Sequence, residues 1–284
     1  MSLALSLHSA LAGVPAATLE AGLVLVPQAE PFRRLGRLRS PLWTALLPGS
    51  IIVGTFGLIV LPRSASTALL ASAVTTPLLA LVAVLAVVRA RKLLLPIAAA
   101  AAGLALLATG RPGQLGAAVV TALACLTIGA ALQRLIPPRW LLAGVVAMSA
   151  ADIALLAFGP GYHQTVVLAA AASTFHGPSF TGARVGGTTI GYPDLFLAAL
   201  LGTYLAGGRS QRLGALVLAG LVIAYDSLLS PGVLLPATVP IALTLIIVQL
   251  SRGSLRPRTL RSLRRGPRGW HRSGDPGPAG AAGG

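Results

Sequence analysis

Two carboxylates carry the chemistry that this sequence suggests. Asp152 and Asp194 each stand inside an apolar run, and the whole chain holds only six acidic residues. An ionisable residue at membrane depth is costly to keep and marks a functional site by default. Asp194 closes the tetrapeptide Gly191-Tyr192-Pro193-Asp194 inside the run Thr188 to Gly207, and Asp152 lies in the run Trp140 to Gly159. Two carboxylates brought together cannot both ionise cheaply, so such a pair shares a proton. One then acts as general base towards a water while the other, protonated, polarises a carbonyl. A proton or cation relay uses buried carboxylates as well and is the competing chemistry.

The elements that must hold these groups are membrane helices. The 284 residues are 55% hydrophobic and 10% charged, with a mean hydropathy of +0.83. A soluble domain carries about 25% charged residues. The apolar runs recur at about the 20 residues that a helix needs to cross the hydrocarbon core, and no barrel-like alternation is present. The expected class is therefore all-α, a polytopic membrane protein. Met1 to Pro27 is a weaker first run, interrupted by His8, Pro15 and Glu20. Leu42–Pro62, Thr67–Val88, Leu93–Thr109, Gln114–Leu135 and Trp140–Gly159 are clearer spans, and Thr165–Phe175 is too short to cross. Thr188–Gly207, Leu213–Leu229 and Pro231–Leu250 complete about nine transmembrane helices, or eight if the first does not span.

Loop charges agree with this count. Arg33, Arg34, Arg37 and Arg39, then Arg89, Arg91 and Lys92, then Arg134 and Arg139, then Arg209 and Arg212, and finally an eight-arginine tail fall on one side. Only Arg63, Arg111 and Arg184 fall on the other. The positive-inside rule puts the rich side, and with it the C-terminus, in the cytoplasm of a protein integral to the cell (plasma) membrane. The division is then a helical membrane domain, 1–250, with 140–250 as its catalytic half, and a basic tail, 251–284, expected to be disordered. The net charge of +16 lies in short loops and the tail, which suits the lipid bilayer and anionic lipid rather than nucleic acid. Cys125, the only cysteine, excludes an internal disulfide and a cysteine cluster. His163 and His176 flank the short segment without further ligands, so no metal and no cofactor is expected.

Depth brings three features to one level. Asp152 lies twelve residues from Trp140, roughly 18 Å at the helical rise. Asp194 lies thirteen residues from Gly207, roughly 20 Å by the same rise. Pro236, in Pro236-Ala237-Thr238-Val239-Pro240, lies fourteen residues from Leu250, roughly 21 Å. Pro193 is expected to free the carbonyl of Thr189 and loosen a helix there. Gly187 and Gly191 form a small-xxx-small pair that lets a neighbouring helix approach. Asp226, near the outer end of its span, reads as an interfacial carboxylate.

This order of motifs resembles the intramembrane aspartyl proteases, the presenilin and signal peptide peptidase family of the Gly-x-Gly-Asp type. Their nine spans carry an aspartate in the sixth, Gly-x-Gly-Asp in the seventh and Pro-Ala-Leu at the ninth. Ala151-Asp152, Gly191-Tyr192-Pro193-Asp194 and Pro236-Ala237-Thr238 stand at the matching places. The resemblance covers roughly residues 140–250 and departs at Ala151 for tyrosine, Pro193 for glycine and Thr238 for leucine. Prepilin peptidases share the Gly-x-Gly-Asp pattern without the proline motif. The resemblance implies a catalytic pair, Asp152 and Asp194, with Gly191, Tyr192, Pro193, Pro236, Ala237 and Thr238 shaping the site or binding substrate. The substrate implied is a transmembrane peptide or protein. A proton-coupled small-solute transporter and a noncatalytic relative are the alternatives.

Overall fold

A computed structural model describes residues 3–27, 32–88, 91–108, 110–175, 178, 180–185, 188–228 and 238–252. The described chain is mostly helical. Its helices are α1 (Leu3–Leu25), α2 (Leu46–Val60), α3 (Ser64–Val82), α4 (Arg91–Leu107), α5 (Gly110–Leu135), α6 (Pro138–Ala157), α7 (Pro160–Thr174), α8 (Tyr192–Leu205), α9 (Arg209–Leu228) and α10 (Thr238–Ser251). A 3-10 turn, Pro41–Ala45, runs into α2, and a π-helical turn, Ala83–Val87, extends α3.

Among the described residues, four helices are long and apolar enough to cross a membrane: Pro41–Val60, Ser64–Val87, Gly110–Leu135 and Pro138–Ala157. Val14–Leu25, Leu93–Leu107 and Thr238–Ser251 are shorter apolar helices. Local chemistry explains why some expected spans are shorter. The run that begins at Thr188 spends its first four residues in a strand, which leaves 14 for α8, or about 21 Å of helix. The 20 residues of α9 carry Arg209 and Arg212 at one end and Asp226 near the other. The short segment after α6 is a 15-residue helix, α7. Gly159, at φ +92°, makes the break between α6 and α7, a conformation that glycine adopts without a Cβ penalty.

The described residues also contain an antiparallel hairpin that an all-α reading omits. Strand β1 (Gly182–Val185) pairs with β2 (Thr188–Gly191), Gly182 opposite Gly191 and Arg184 opposite Thr189. Thr188, Thr189 and Ile190 are β-branched, and such residues fit a pleated strand better than a helix.

Helix α5 is the centre of the packing. It meets α3, α4, α8 and β1, and residues from Gly113 to Ala130 are buried along it. Small residues set the closest approaches, as expected where helices pack without a hydrophobic drive between them. A Cβ on Gly129 would lie 2.6 Å from the backbone nitrogen of Leu200, and one on Gly202 would lie 2.5 Å from the carbonyl oxygen of Leu23. Helix α8 is therefore wedged between α5 and α1. Helix α1 also packs along α9, and its C-terminal carbonyls, which lack helical partners, are closed by Gln211. The Nε2 of Gln211 donates to Val24 at 2.9 Å, and to Leu25 and Pro27 at 3.2 Å. Helices α2, α6 and α7 form a second packed group, tied by a 2.7 Å hydrogen bond from the Thr55 hydroxyl to Gln164.

Candidate functional site

Asp194 sits in the first turn of α8. Gly191 is the N-cap, Tyr192 and Pro193 follow, and the Gly191 N–H donates to Asp194 Oδ2 at 3.1 Å. This is one half of a capping box, and the other half needs a side-chain oxygen that glycine lacks. A carboxylate in the first turn also faces the positive end of the helix dipole. The side chain is 8% exposed.

The structure corrects two expectations about this segment. Pro193 does not kink a helix, because it occupies the first turn, where the missing N–H has no helical acceptor to lose. Gly191 belongs to β2, so it offers no helical small-residue face to a neighbour. Gly187 lies outside the described residues.

Asp152 stands on α6, one turn after Ser149. The Thr238 hydroxyl donates to Asp152 Oδ2 at 2.9 Å, and the Ser149 hydroxyl donates to the Thr238 carbonyl at 3.2 Å. Residues three apart share a helix face, so two bonds dock the first described turn of α10 onto one face of α6. Pro236 and Ala237 lie outside the described residues.

The charge of Asp152 is among those that act on Asp194. Helices α6 and α8 are not in close backbone contact, so the two aspartates stand on separately packed elements. Tyr192 is half-buried, and its carbonyl oxygen lies 4.0 Å from the buried Cys125 Sγ of α5. Gly191, Tyr192, Pro193 and Asp194 thus sit together at the start of α8, and Asp152 and Thr238 sit together where α10 meets α6.

Other polar residues fall elsewhere. His163 is exposed on α7 with its ring edge-on to Tyr162, and Arg184 is exposed on β1. Asp226 is half-buried on α9. Among the described residues, no group of three His, Cys, Asp or Glu side chains is arranged to hold a metal ion.

One acidic residue was read in the sequence only as weakening the first run. Glu20 of α1 is 2% exposed, its Oε2 has no hydrogen-bond partner, and the charges of Asp194 and Asp226 act on it. The signal that finds it is the one that found the aspartates: an acid in an apolar run.

Compared with family models, curated proteins and solved structures, the chain matches none.

Proposed function

We propose that this chain is an intramembrane aspartyl protease of the presenilin and signal peptide peptidase type, cleaving transmembrane peptides between Asp152 and Asp194. The observation that supports the reading is the 2.9 Å bond from the Thr238 hydroxyl to Asp152, whose charge in turn acts on Asp194. Two segments far apart in sequence, α6 and α10, meet at that bond.

In the proposed reaction, the ionised carboxylate of the pair removes a proton from water, and the water oxygen attacks the scissile carbonyl carbon. The protonated carboxyl donates to the carbonyl oxygen, which becomes a hydroxyl of the tetrahedral intermediate. Collapse of that intermediate breaks the C–N bond: the leaving amine takes a proton from the protonated member of the pair, and one hydroxyl of the intermediate returns its proton to the ionised member as the C=O bond forms. The Thr238 hydroxyl orients Asp152, and the Gly191 N–H orients Asp194. On this reading the substrate chain enters between α6 and α8. An extended substrate has unpaired backbone groups, and the edge of the β1–β2 hairpin, next to Asp194, offers partners for them. The proposed topology has nine spans in the cell membrane, with the basic tail and C-terminus in the cytoplasm.

A second reading, a proton-coupled transporter, draws on Glu20 and Asp226, which add carboxylates from two more helices. One experiment separates the two. Purified protein in detergent is given tagged single-span peptides, with Asp152→Ala and Asp194→Ala as comparisons. The protease reading expects cleavage by the wild type and a loss of about a hundredfold or more in each variant. Retained cleavage in either variant sinks the pair. Absence of cleavage, together with proton-driven uptake into vesicles that needs both aspartates, establishes the transporter instead.

A further inference from the structure

Glu20 is the acidic group that the proposed reaction leaves unused. Its burial is nearly complete, and its Oε2 accepts no hydrogen bond. An ionised carboxylate without a partner in an apolar interior costs several kcal/mol, so a carboxyl held this way keeps a proton unless something nearby takes it.

Its surroundings say what that something is. Helix α1 packs on α9, α8, α5 and β2. Helices α8 and α9 bring Asp194 and Asp226, the two charges that act on Glu20. The α5 helix brings Cys125, buried beside Tyr192, and β2, Thr188–Gly191, has no titratable side chain. Arg209 and Arg212 stand on the turn of α9 that carries Gln211, where α1 ends.

Axial positions put Glu20 and Asp194 within about one and a half helical turns of each other. Gly202 of α8 rests against Leu23 and Val24 of α1, and α1 reaches β2 as well, so the two helices run in the same direction. Asp194 lies eight residues before Gly202, and Glu20 lies three before Leu23. The axial offset is about 7 Å at the helical rise, within reach of a glutamate side chain pointing back towards its helix N-terminus.

We propose that Glu20 is a third carboxyl of the site, a proton-exchange partner of Asp194 that sets how protons are shared with Asp152. The exchange needs a change of Glu20 rotamer that brings its carboxyl to hydrogen-bond distance of Asp194; the O–H bond at Glu20 then breaks as one forms at Asp194, each electron pair staying on its oxygen, and the net charge of the site is unchanged. The proposal deepens the protease reading but does not need cleavage to be tested, because a relay in a transporter would use the same exchange. Glu20 is a positioning residue for the proton and touches no substrate.

The test is infrared titration of full-length protein in lipid vesicles. A protonated carboxyl has a C=O stretch separate from the carboxylate bands. With six acidic residues in the chain, the wild-type spectrum minus that of Glu20→Gln isolates the Glu20 band. The same subtraction in an Asp194→Asn background gives its titration without the neighbour. The expected result is a Glu20 band at neutral pH whose midpoint falls by about one pH unit when Asp194 is replaced, since a negative neighbour no longer opposes ionisation. Asp226→Asn is expected to move it less. Glu20→Asp, which keeps the carboxyl, is expected to restore a protonated band and so excludes misfolding as the cause of its loss. Absence of the band, a midpoint unmoved by Asp194→Asn, or a larger movement in Asp226→Asn overturns the proposal. If the wild type cleaves no peptide while the Glu20 midpoint still follows Asp194, the protease reading fails and this one stands.

Discussion

The two aspartates are held in different ways. Asp194 is anchored by its own chain, bonded to the Gly191 N–H three residues earlier, at the start of a helix whose residues are buried from Asp194 to Thr203. Asp152 is half-buried mid-helix on α6 and depends on a hydroxyl 86 residues away, on α10. The supporting helices differ in the same sense. A Cβ on Gly129 or Gly202 would meet backbone atoms on either side of α8, whereas one on Gly144 of α6 would first meet the side-chain tips of Leu47 and Thr44, both at 2.7 Å. Backbone cannot retreat and a side chain can turn. The site therefore has a fixed half and an adjustable half, and on the proposed reading a substrate is accommodated by the adjustable one.

Substituting these glycines is the strongest way to break the contrast. Gly202→Val is expected to lower stability by about 1–3 kcal/mol, the usual cost of overpacking a filled interior. Gly144→Ala is expected to cost less, because Leu47 and Thr44 can change rotamer. Gly54→Ala, with nothing within 4 Å of the added carbon, is the neutral reference and gains helix propensity. Thermal unfolding in detergent, followed by circular dichroism, ranks the three. An equal loss for Gly144→Ala and Gly202→Val would remove the distinction between the halves.

How much of this could be read beforehand follows from what the helical rise encodes. Residue counting along a helix measures depth, and it put Asp152, Asp194 and the segment containing Thr238 at one level. It carries no information about which helices are neighbours. The lateral arrangement depends on small residues such as Gly129 and Gly202, which look like ordinary apolar filler in a hydropathy window. The hairpin was lost in the same averaging: Thr188, Thr189 and Ile190 signal a strand locally, but a 20-residue window merges them with α8. The effect of Pro193 depends on where the helix begins, and that start, set by β2, is not visible in a hydropathy pattern. In the sequence Glu20 looks like a defect in a weak span, although its burial makes it the same kind of residue as Asp194.

Removing each carboxylate sharpens the comparison further. Asp194→Ala is expected to destabilise the fold by about 1 kcal/mol through loss of its bond to the N-cap and of its place at the helix dipole. Asp152→Ala leaves α6 intact and frees Thr238, so its effect on stability is expected to be smaller while its effect on activity is as large. Unfolding and cleavage measured on the same preparations test this, and equal destabilisation by the two variants would contradict the local anchoring of Asp194.

The Thr238 hydroxyl tests the adjustable half directly. A net hydrogen bond is worth about 0.5–1.5 kcal/mol, and somewhat more to a charged group. Thr238→Val keeps the shape and removes the donor, so cleavage is expected to fall by about tenfold. Thr238→Ser keeps the donor and is expected to retain most of the activity. If valine and serine behave alike, the contribution of residue 238 is packing and not orientation of Asp152.

The smallest expected effect belongs to Pro193, the departure that most separates this chain from the Gly-x-Gly-Asp pattern. In the first turn of α8 its ring fixes a φ already suited to a helix start and takes away no helical hydrogen bond. Pro193→Gly, which restores the pattern of the resembled family, therefore relaxes the unfolded chain and the helix start together. Stability is expected to fall by about 0.5–1 kcal/mol, with Asp194 still bonded to the Gly191 N–H. Because the fixed half owes its position to α5 and α1 packing rather than to residue 193, cleavage is expected to change by less than about threefold. A large gain in activity with Pro193→Gly would mean that the proline holds Asp194 away from its working geometry, and the fixed half would then have to be sought in the hairpin instead of in α8.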